Sequence, residues 1–376
     1  MISTRVHGII DYAVAALFGT LCLSGRLSPR VSRTLGAASA YHTLYSAVTD
    51  YEAGVAAKVT MRQHLALDAA GAVALVGAGL AMRRAHPLER ALLMAAGLAE
   101  IAVVALSDSQ PVSGPGQGSG VVGRVAGSEG GSDAAYPPLD TLKPVADGVW
   151  IVDGAPIRVL GVPFPVRMTV IRLASGDLIL HSPTQFTAGL GAELDRIGRV
   201  AHLVAPNSAH WTFLKAWQDA CPAAATWAAP GLRDRAQVRR SGVRLDHDLG
   251  DAPPPAWAGE IALEVVPGGL GFREVAVFHR PSRTLVLTDL VVNLEAEKMP
   301  ALVRPGLRLL GATAPDGMAP THVRTIVEIE RDAAARAAER VLAWQPERVV
   351  FAHGQWFERD GAARLRRSWR WLLPQA

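Results

Sequence analysis

The sequence predicts two domains of different class, a four-helix transmembrane bundle followed by a layered α/β domain. Three observations carry this. Four Ala/Leu/Val/Gly-rich stretches lie within residues 1–108, a Gly/Ser/Pro-rich run fills 109–139, and from 140 onward short apolar strands alternate with helices. Composition agrees, because 49% of the 376 residues are hydrophobic and 19% charged, which excludes a disordered, collagen-like or coiled-coil chain. The net charge of +4 is spread evenly, with nine basic and seven acidic side chains in 1–108 and 29 and 27 after it. No basic face marks the chain for nucleic acid, which is not an expected partner. Two cysteines, Cys22 and Cys221, are too few for a disulfide framework or a thiolate zinc site.

The apolar stretches run over roughly 9–24, 35–49, 65–82 and 91–107, each about 25 Å long as a helix, against a hydrocarbon core of about 30 Å. Polar connections at Gly25–Thr34, Asp50–His64 and Arg83–Arg90 separate them. A soluble bundle would carry a charged face on every helix, yet Gly71–Met82 has no charge and Ala91–Leu106 has only Glu100. The lipid bilayer of an inner or plasma membrane is therefore the expected surrounding. The first stretch lacks the basic leader and cleavage site of a secretory signal. With four spans, Arg26, Arg30, Arg33, Arg83, Arg84 and Arg90 share one side, whereas Arg5, Lys58 and Arg62 flank the other. Basic flanks stay cytoplasmic, which places the C-terminal domain outside the cytoplasm.

The run at 109–139 has too little apolar surface to offset the entropy of ordering and reads as a flexible linker. Beyond it, strands are expected at Val149–Val152, Val166–Leu173, Leu178–His181, Val200–Val204, Ile261–Val266, Glu274–His279, Thr284–Thr288 and Arg348–Ala352. Helices are expected at Ala188–Ile197, His210–Ala220, Val323–Leu342 and Gly361–Leu373. Residues 140–376 thus form one layered α/β domain.

Five segments stand in a suggestive order: Arg167–Met168–Thr169; Leu180–His181–Ser182–Pro183; Ala205–Pro206–Asn207 with His210; Phe278–His279–Arg280 leading to Thr288–Asp289–Leu290; and Ala352–His353–Gly354. Over about Pro144–Pro374 this order resembles the metallo-β-lactamase-like superfamily, and within it an uncharacterised domain-of-unknown-function subgroup. The resemblance implies an αββα sandwich with a metal site along one edge. That superfamily binds one or two metals through an H-x-H-x-D-H run, a later His, a strand-ending Asp and a final His. Here only Asn207 and His210 remain of the run, and Gly269 stands where the later His is expected. Asp289 and His353 match the strand-ending Asp and the final His, while His181 and His279 are additional. The implied set is His181, His210, His279, Asp289 and His353, with Asn207 supporting it. Neutral imidazoles with a carboxylate suit zinc, iron or manganese, leaving a position at which water becomes a nucleophile. The same residues suit a degenerate, metal-free pocket. Two functions follow: a membrane-anchored metal-dependent hydrolase of a small molecule, or a catalytically lapsed binding module on a membrane domain that handles ions, protons or a cofactor.

Several lesser signals read as structural. Cys221 and His202 read as core, Gly268–Gly271 lacks the helix a phosphate loop needs, and Arg364–Trp371 reads as a helix that packs its Trp side chains on the sheet or, alternatively, contacts anionic headgroups.

The N-terminal domain contains an internal duplication. His7 and Asp11 recur 57 residues later as His64 and Asp68, and His42 and Asp50 are matched 58 later by Glu100 and Asp108. A spacing of four puts each His above its Asp on one helical face. In an up-down bundle all eight gather at one end, His7, Asp50, His64 and Asp108 outermost and Asp11, His42, Asp68 and Glu100 deeper. Ionisable groups at such depth must pair, which suggests metal binding, proton transfer, haem held between His residues, or His–Asp pairs that specify packing.

Overall fold

Helix starts in the N-terminal part are set by local chemistry that the apolar pattern does not show. The structure is a computed structural model describing residues 4–50, 58–83, 85–107, 123–124, 134–159, 162–301 and 303–373. Its first helices are α1 (Thr4–Leu23), α2 (Pro29–Ala47), α3 (Met61–Ala81) and α4 (Pro87–Leu106). Each begins several residues ahead of its apolar stretch and reaches about 30 Å. Pro29 and Pro87 occupy first-turn positions, where a missing N–H costs nothing. Thr60 and Gln63 form a capping box, the Gln63 N–H donating to Thr60 Oγ1 (3.3 Å) and the Thr60 N–H to Gln63 Oε1 (2.9 Å). His7 and His64 consequently lie inside helices rather than ahead of them.

The helices pair as two hairpins, α1 with α2 and α3 with α4, around Phe18, Val31, Leu35, Leu75 and Leu93. By length and hydropathy one of them, α3, qualifies as a membrane span, and 28% of its apolar window is buried. The sequence reading expects four. The apolar run of α1 reaches only from His7 to Leu23, α2 carries Arg30 and Arg33, and α4 combines Glu89, Arg90 and Glu100.

The C-terminal elements are β1 (Gly123–Arg124), β2 (Lys143–Ala146), β3 (Val149–Val159), β4 (Val162–Arg172), β5 (Asp177–His181), α5 (Ala188–Asp195), β6 (Arg199–Ala205), α6 (Leu214–Ala220), β7 (Ala225–Ala228), α7 (Ala236–Arg240) and β8 (His247–Asp248). They continue with β9 (Ile261–Pro267), β10 (Arg273–His279), β11 (Thr284–Val286), α8 (Arg304–Leu309), α9 (Thr321–Glu328), α10 (Arg331–Ala343), β12 (Arg348–Val350) and α11 (Gly361–Ser368). One sheet runs β1-β3-β4-β5-β6-β7-β8 with β2 also on β3, and the other runs β12-β11-β10-β9. Strand alternation sorts the side chains into layers. Ile179 and Val204 meet Val275, Val277 and Val286 between the sheets. Their neighbours Leu178, Leu180 and Leu203 face α5 and α6, and Ala276 and Phe278 face α9, α10 and α11. The result is a four-layer αββα sandwich. In it β5 and β6 are parallel, as are β11 and β12, so four carboxyl ends point toward one rim.

Three expectations need correction, and two strands were not expected. The helix expected over Val323–Leu342 breaks at Ile329 and Glu330, because the Gly269 N–H captures Ile326 O (2.8 Å). The helix expected from His210 begins at Leu214, since Asn207 Oδ1 instead holds the Ala209 and His210 N–H groups in a turn (2.8 and 3.1 Å). Strands β7 and β8 are too short to show a period. The expected linker at 109–139 ends early: Ala134 is buried beside Val292, Leu294 and Met299, Ala135 is buried with its carbonyl accepting from Lys298 Nζ (3.1 Å), and Tyr136 lies under Arg167 and Lys298. Residues 123–124 pair with β3, while 108–122 and 125–133 lie outside the described residues.

The approach of α3 to α4 depends on Gly97, where a Cβ would lie 2.5 Å from Ala72 O, whereas one at Gly77 meets nothing within 4 Å. Gly97→Ala should therefore destabilise the full chain by about 1–3 kcal/mol through overpacking. Gly77→Ala should stabilise it slightly through helix propensity. Thermal melts of the two variants with equal midpoints would contradict this packing.

Candidate metal centre

Three side chains converge at the rim where the parallel strands end. His210 follows β6, Asp289 follows β11 and His353 follows β12. His210 Nε2 and His353 Nε2 each lie 3.3 Å from the same oxygen, Asp289 Oδ1, and the two rings are 5.1 Å apart. One donor atom from each residue falls within 4.8 Å of the others. The far side of each ring is also held. His353 Nδ1–H donates to Pro165 O (2.7 Å), an atom that can only accept, so in the neutral ring Nε2 turns its lone pair toward Asp289. His210 Nδ1 is 2.7 Å from Ser182 Oγ, and Ser182 has the left-handed φ of +54° that brings its hydroxyl there.

The second oxygen of Asp289 is held by Asn207, whose Nδ2 lies 2.8 Å from Asp289 Oδ2, 3.0 Å from Thr288 Oγ1 and 3.1 Å from Glu274 Oε2. Glu274, fully buried at the start of β10, accepts the N–H groups of Thr288 (2.8 Å), Asp289 (2.9 Å) and Leu290 (3.3 Å). The His353 turn is fixed by Arg167, whose guanidinium donates to Gly354 O (2.6 Å) and Phe351 O (3.2 Å) and pairs with buried Asp153 at 2.7 Å. Gly354 has a φ of +92°, and a Cβ there would lie 2.2 Å from Asn293 O. Only glycine fits.

Charge follows from this crowding. Burial opposes a proton on His210, but the Asp289 carboxylate and then Glu274 outweigh it and raise the imidazole. Burial likewise disfavours the Asp289 anion, yet His210 and His353 hold it well below the usual carboxylate range. Glu274 moves upward, by burial first and by the charge of Asp289 second.

The other residues implied by the resemblance fall elsewhere. His181 is buried at the end of β5, and its Nε2 has no hydrogen-bond partner among the described residues. It is not part of the three-donor group. His279 lies at the far end of β10 from Glu274, five residues away or about 17 Å along a strand. Its Nδ1 bonds Ser282 Oγ (2.7 Å), so it is a turn residue and not a ligand of this centre. At Gly269, a Cβ would meet Ile329 Cδ1 at 2.5 Å, which leaves no room for the expected later His. His202 is buried in β6 and accepts from Trp227 Nε1 (3.2 Å), and Trp369 is buried with its indole N–H on Leu290 O (3.1 Å). Cys221 caps α6, half-buried. Ser182 and Glu274 are the residues that sequence reasoning passed over. Glu274 was detectable as an acid opening an otherwise apolar strand; Ser182 had no signal beyond its place in the quoted segment.

In the helical unit, His7, Asp11, His64 and Asp68 come together, buried and with one donor atom from each within 4.8 Å of the rest. Asp68 also accepts from Tyr45 OH, which lies 2.6 Å from His42 Nδ1, and His42 Nε2 is 3.1 Å from Glu100 Oε1. Asp50 does not join the four; Thr49, where the chain leaves α2, faces His64 instead. Asp108 lies outside the described residues.

Comparison with known proteins gives these likenesses. Residues 146–316 match the model of a domain of unknown function, DUF4336. No curated protein matches the sequence. Among solved structures, the chain is similar to a metallo-β-lactamase from Pontibacter korlensis (16% identity, 62% of this chain, 99% of that one, TM-score 0.43). It is also similar to the metallo-β-lactamase FIM-1 from Pseudomonas aeruginosa in its mono-zinc form (15% identity, 62% and 96%, TM-score 0.42). A flavodiiron core from Synechocystis matches at 11% identity over 62% of this chain and 60% of that one, with TM-score 0.45.

Two outcomes are expected. Glu274→Ala strands three backbone N–H groups and should cost roughly 3 kcal/mol or more in chemical unfolding; an unchanged midpoint would remove Glu274 from the account. Burial, with a smaller push from His210, lowers the His181 imidazole to about 3. The unfolded chain therefore binds the extra proton between about 3 and about 6.5, so stability is complete above that window and falls as pH drops through it. Between about pH 7.5 and about pH 5, wild type should lose more stability than His181→Leu. Equal losses would mean that His181 does not titrate this way.

Proposed function

We propose that the sandwich is a metallo-β-lactamase-like hydrolase domain in which His210, Asp289 and His353 hold one divalent cation, and that the helical unit anchors it in the inner or plasma membrane. The observation that carries the first part is the pair of Nε2 atoms at 3.3 Å from one carboxylate oxygen, with both Nδ1 atoms held from behind. Such a set, two imidazoles and a carboxylate, fits zinc, iron or manganese and leaves coordination positions open. When bound, the cation supplies Lewis acidity to a substrate oxygen and lowers the pKa of water. The protein's own groups supply the rest. Pro165 O fixes the tautomer of His353 and Ser182 Oγ the rotation of His210. Asn207 takes Asp289 Oδ2, leaving Oδ1 for the rings, and Arg167 prevents the His353 turn from moving.

A second reading is a lapsed binding module. Ile329 fills the space beside Gly269 and only Asn207 and His210 survive of the ligand run, so a two-metal set is not assembled. Membrane anchoring is supported by an inverted distribution: His7, Asp11, His64 and Asp68 are buried, while among the described residues nine of the twelve exposed large hydrophobics, from Leu17 to Leu106, lie in the helical unit. The arginine asymmetry supports a sandwich outside the cytoplasm.

Purified full-length protein should carry a metal that Asp289→Asn weakens by at least about 10–100-fold, together with hydrolysis of some member of an ester, thioester, lactam and phosphodiester panel. A folded, metal-loaded wild type inert toward the whole panel would favour the binding module. In cells the chain should stay with membranes through alkaline carbonate extraction; release into the supernatant would refute the anchor.

A further inference from the structure

The duplicated helical hairpins build a second donor set that the sandwich does not use. His7 Nε2 and His64 Nε2 face each other at 3.1 Å. His7 Nε2 is 2.8 Å from Asp68 Oδ2 and 3.3 Å from Asp11 Oδ1; His64 Nε2 is 3.0 Å from Asp11 Oδ2 and 3.3 Å from Asp68 Oδ2. All four residues are at most 4% exposed.

The far nitrogens settle where one hydrogen of each ring lies. His7 Nδ1 lies 2.6 Å from Ser107 Oγ, and that hydroxyl gives its one hydrogen to Val103 O (2.6 Å). His64 Nδ1 lies 2.8 Å from Thr49 Oγ1, whose hydrogen goes to Tyr45 O (2.7 Å). Each hydroxyl must therefore accept from the ring, and both Nδ1 atoms carry hydrogen. In the neutral rings both Nε2 lone pairs then converge on one point, together with two carboxylates. Ser107 stands 58 residues after Thr49, so the supporting hydroxyls belong to the same duplication as the donors.

Four converging electron pairs and two negative charges repel one another in a buried site unless protons or a metal cation lie among them. A tetrahedral cation with ligand bonds of about 2.0–2.1 Å holds its ligands about 3.3 Å apart. The separations among His7 Nε2, His64 Nε2 and Asp68 Oδ2, 2.8–3.3 Å, are close to that, and Asp11 offers Oδ1 to His7 and Oδ2 to His64 at 3.3 and 3.0 Å. Two neutral imidazoles and two carboxylates carry two negative charges, which a divalent ion neutralises. The nitrogen donors favour a first-row transition metal over magnesium or calcium.

We propose that His7, Asp11, His64 and Asp68 bind one divalent transition-metal ion inside the helical unit, with Thr49 and Ser107 fixing the ligand tautomers. The site is independent of the one at the sandwich rim, and each hairpin supplies one His and one Asp to it. Neither hairpin is complete alone.

The test uses full-length protein carrying His210→Ala and His353→Ala, so that the rim cannot contribute metal. Dialysed against Zn²⁺ or Co²⁺, it should retain one metal per chain, and Co²⁺ should give the intense visible absorption of a tetrahedral site. Adding His7→Ala and His64→Ala should abolish both. Should that variant fail to fold, Thr49→Val with Ser107→Ala decides, because it keeps all four ligands and should weaken metal affinity about 10–100-fold. A folded His210→Ala/His353→Ala protein that binds none of Zn²⁺, Co²⁺, Mn²⁺ or Fe²⁺ would overturn the proposal and leave the cluster a proton-shared His–Asp network. Unchanged affinity in Thr49→Val/Ser107→Ala would overturn the assigned tautomers.

Discussion

The sandwich depends on one buried carboxamide. Asn207 sits at the end of β6 in the first sheet, and its Nδ2 reaches Glu274, Thr288 and Asp289 of the second. Its Oδ1 meanwhile caps the turn that presents His210. A hydrophobic layer can hold two sheets about 10 Å apart, but it slides readily, because apolar attraction has no direction. Hydrogen bonds to a buried amide do have direction, and an unsatisfied one costs about 1–3 kcal/mol. The sheets are thereby locked in one register at the edge where His210 and Asp289 must meet. Glu274 extends the lock to three successive N–H groups at the end of β11.

Both clusters follow one rule about histidine. A ring can be aimed only if its second nitrogen has a partner of known sense, and the chain supplies such partners at Pro165, Ser107 and Thr49. In the helical unit the partners are hydroxyls whose hydrogens are already committed to the preceding helical turn. At the rim the partner of His353 is a carbonyl. Ser182 serves His210 from a left-handed backbone position.

Much of this architecture was legible from residue order. The change of texture near 108 and at 140, the strand cores of the sandwich, and the H-x-x-x-D repeat are patterns of local chemistry, so each could be read without contacts. Asp289 and His353 stood out through the resemblance, which has a strand-ending Asp and a final His at their places. The failures share a cause. His279 also ends an apolar strand, but β10 runs opposite to β11, so its end lies on the other rim. The helix break at 329 arises from Gly269, 57 residues from the Ile326 carbonyl it takes, and the late helix start after 210 from Asn207, three residues before His210. The role of Ser182 depends on a single positive φ.

What the sequence determined by itself is therefore everything set by period and composition. It specified four apolar helices, a layered α/β domain, and a small group of histidines and carboxylates placed where strands or helices begin and end. What tertiary structure alone decided is which of these share a point in space. Alternation fixes the face of a strand but not the direction in which its neighbour runs, and a 57-residue repeat fixes equivalence but not proximity. Convergence of His7 with His64, or of His210 with His353, requires two separately formed elements to pack at one register. That register is chosen by contacts such as Gly97 on Ala72 and Asn207 on Glu274, which no local pattern records.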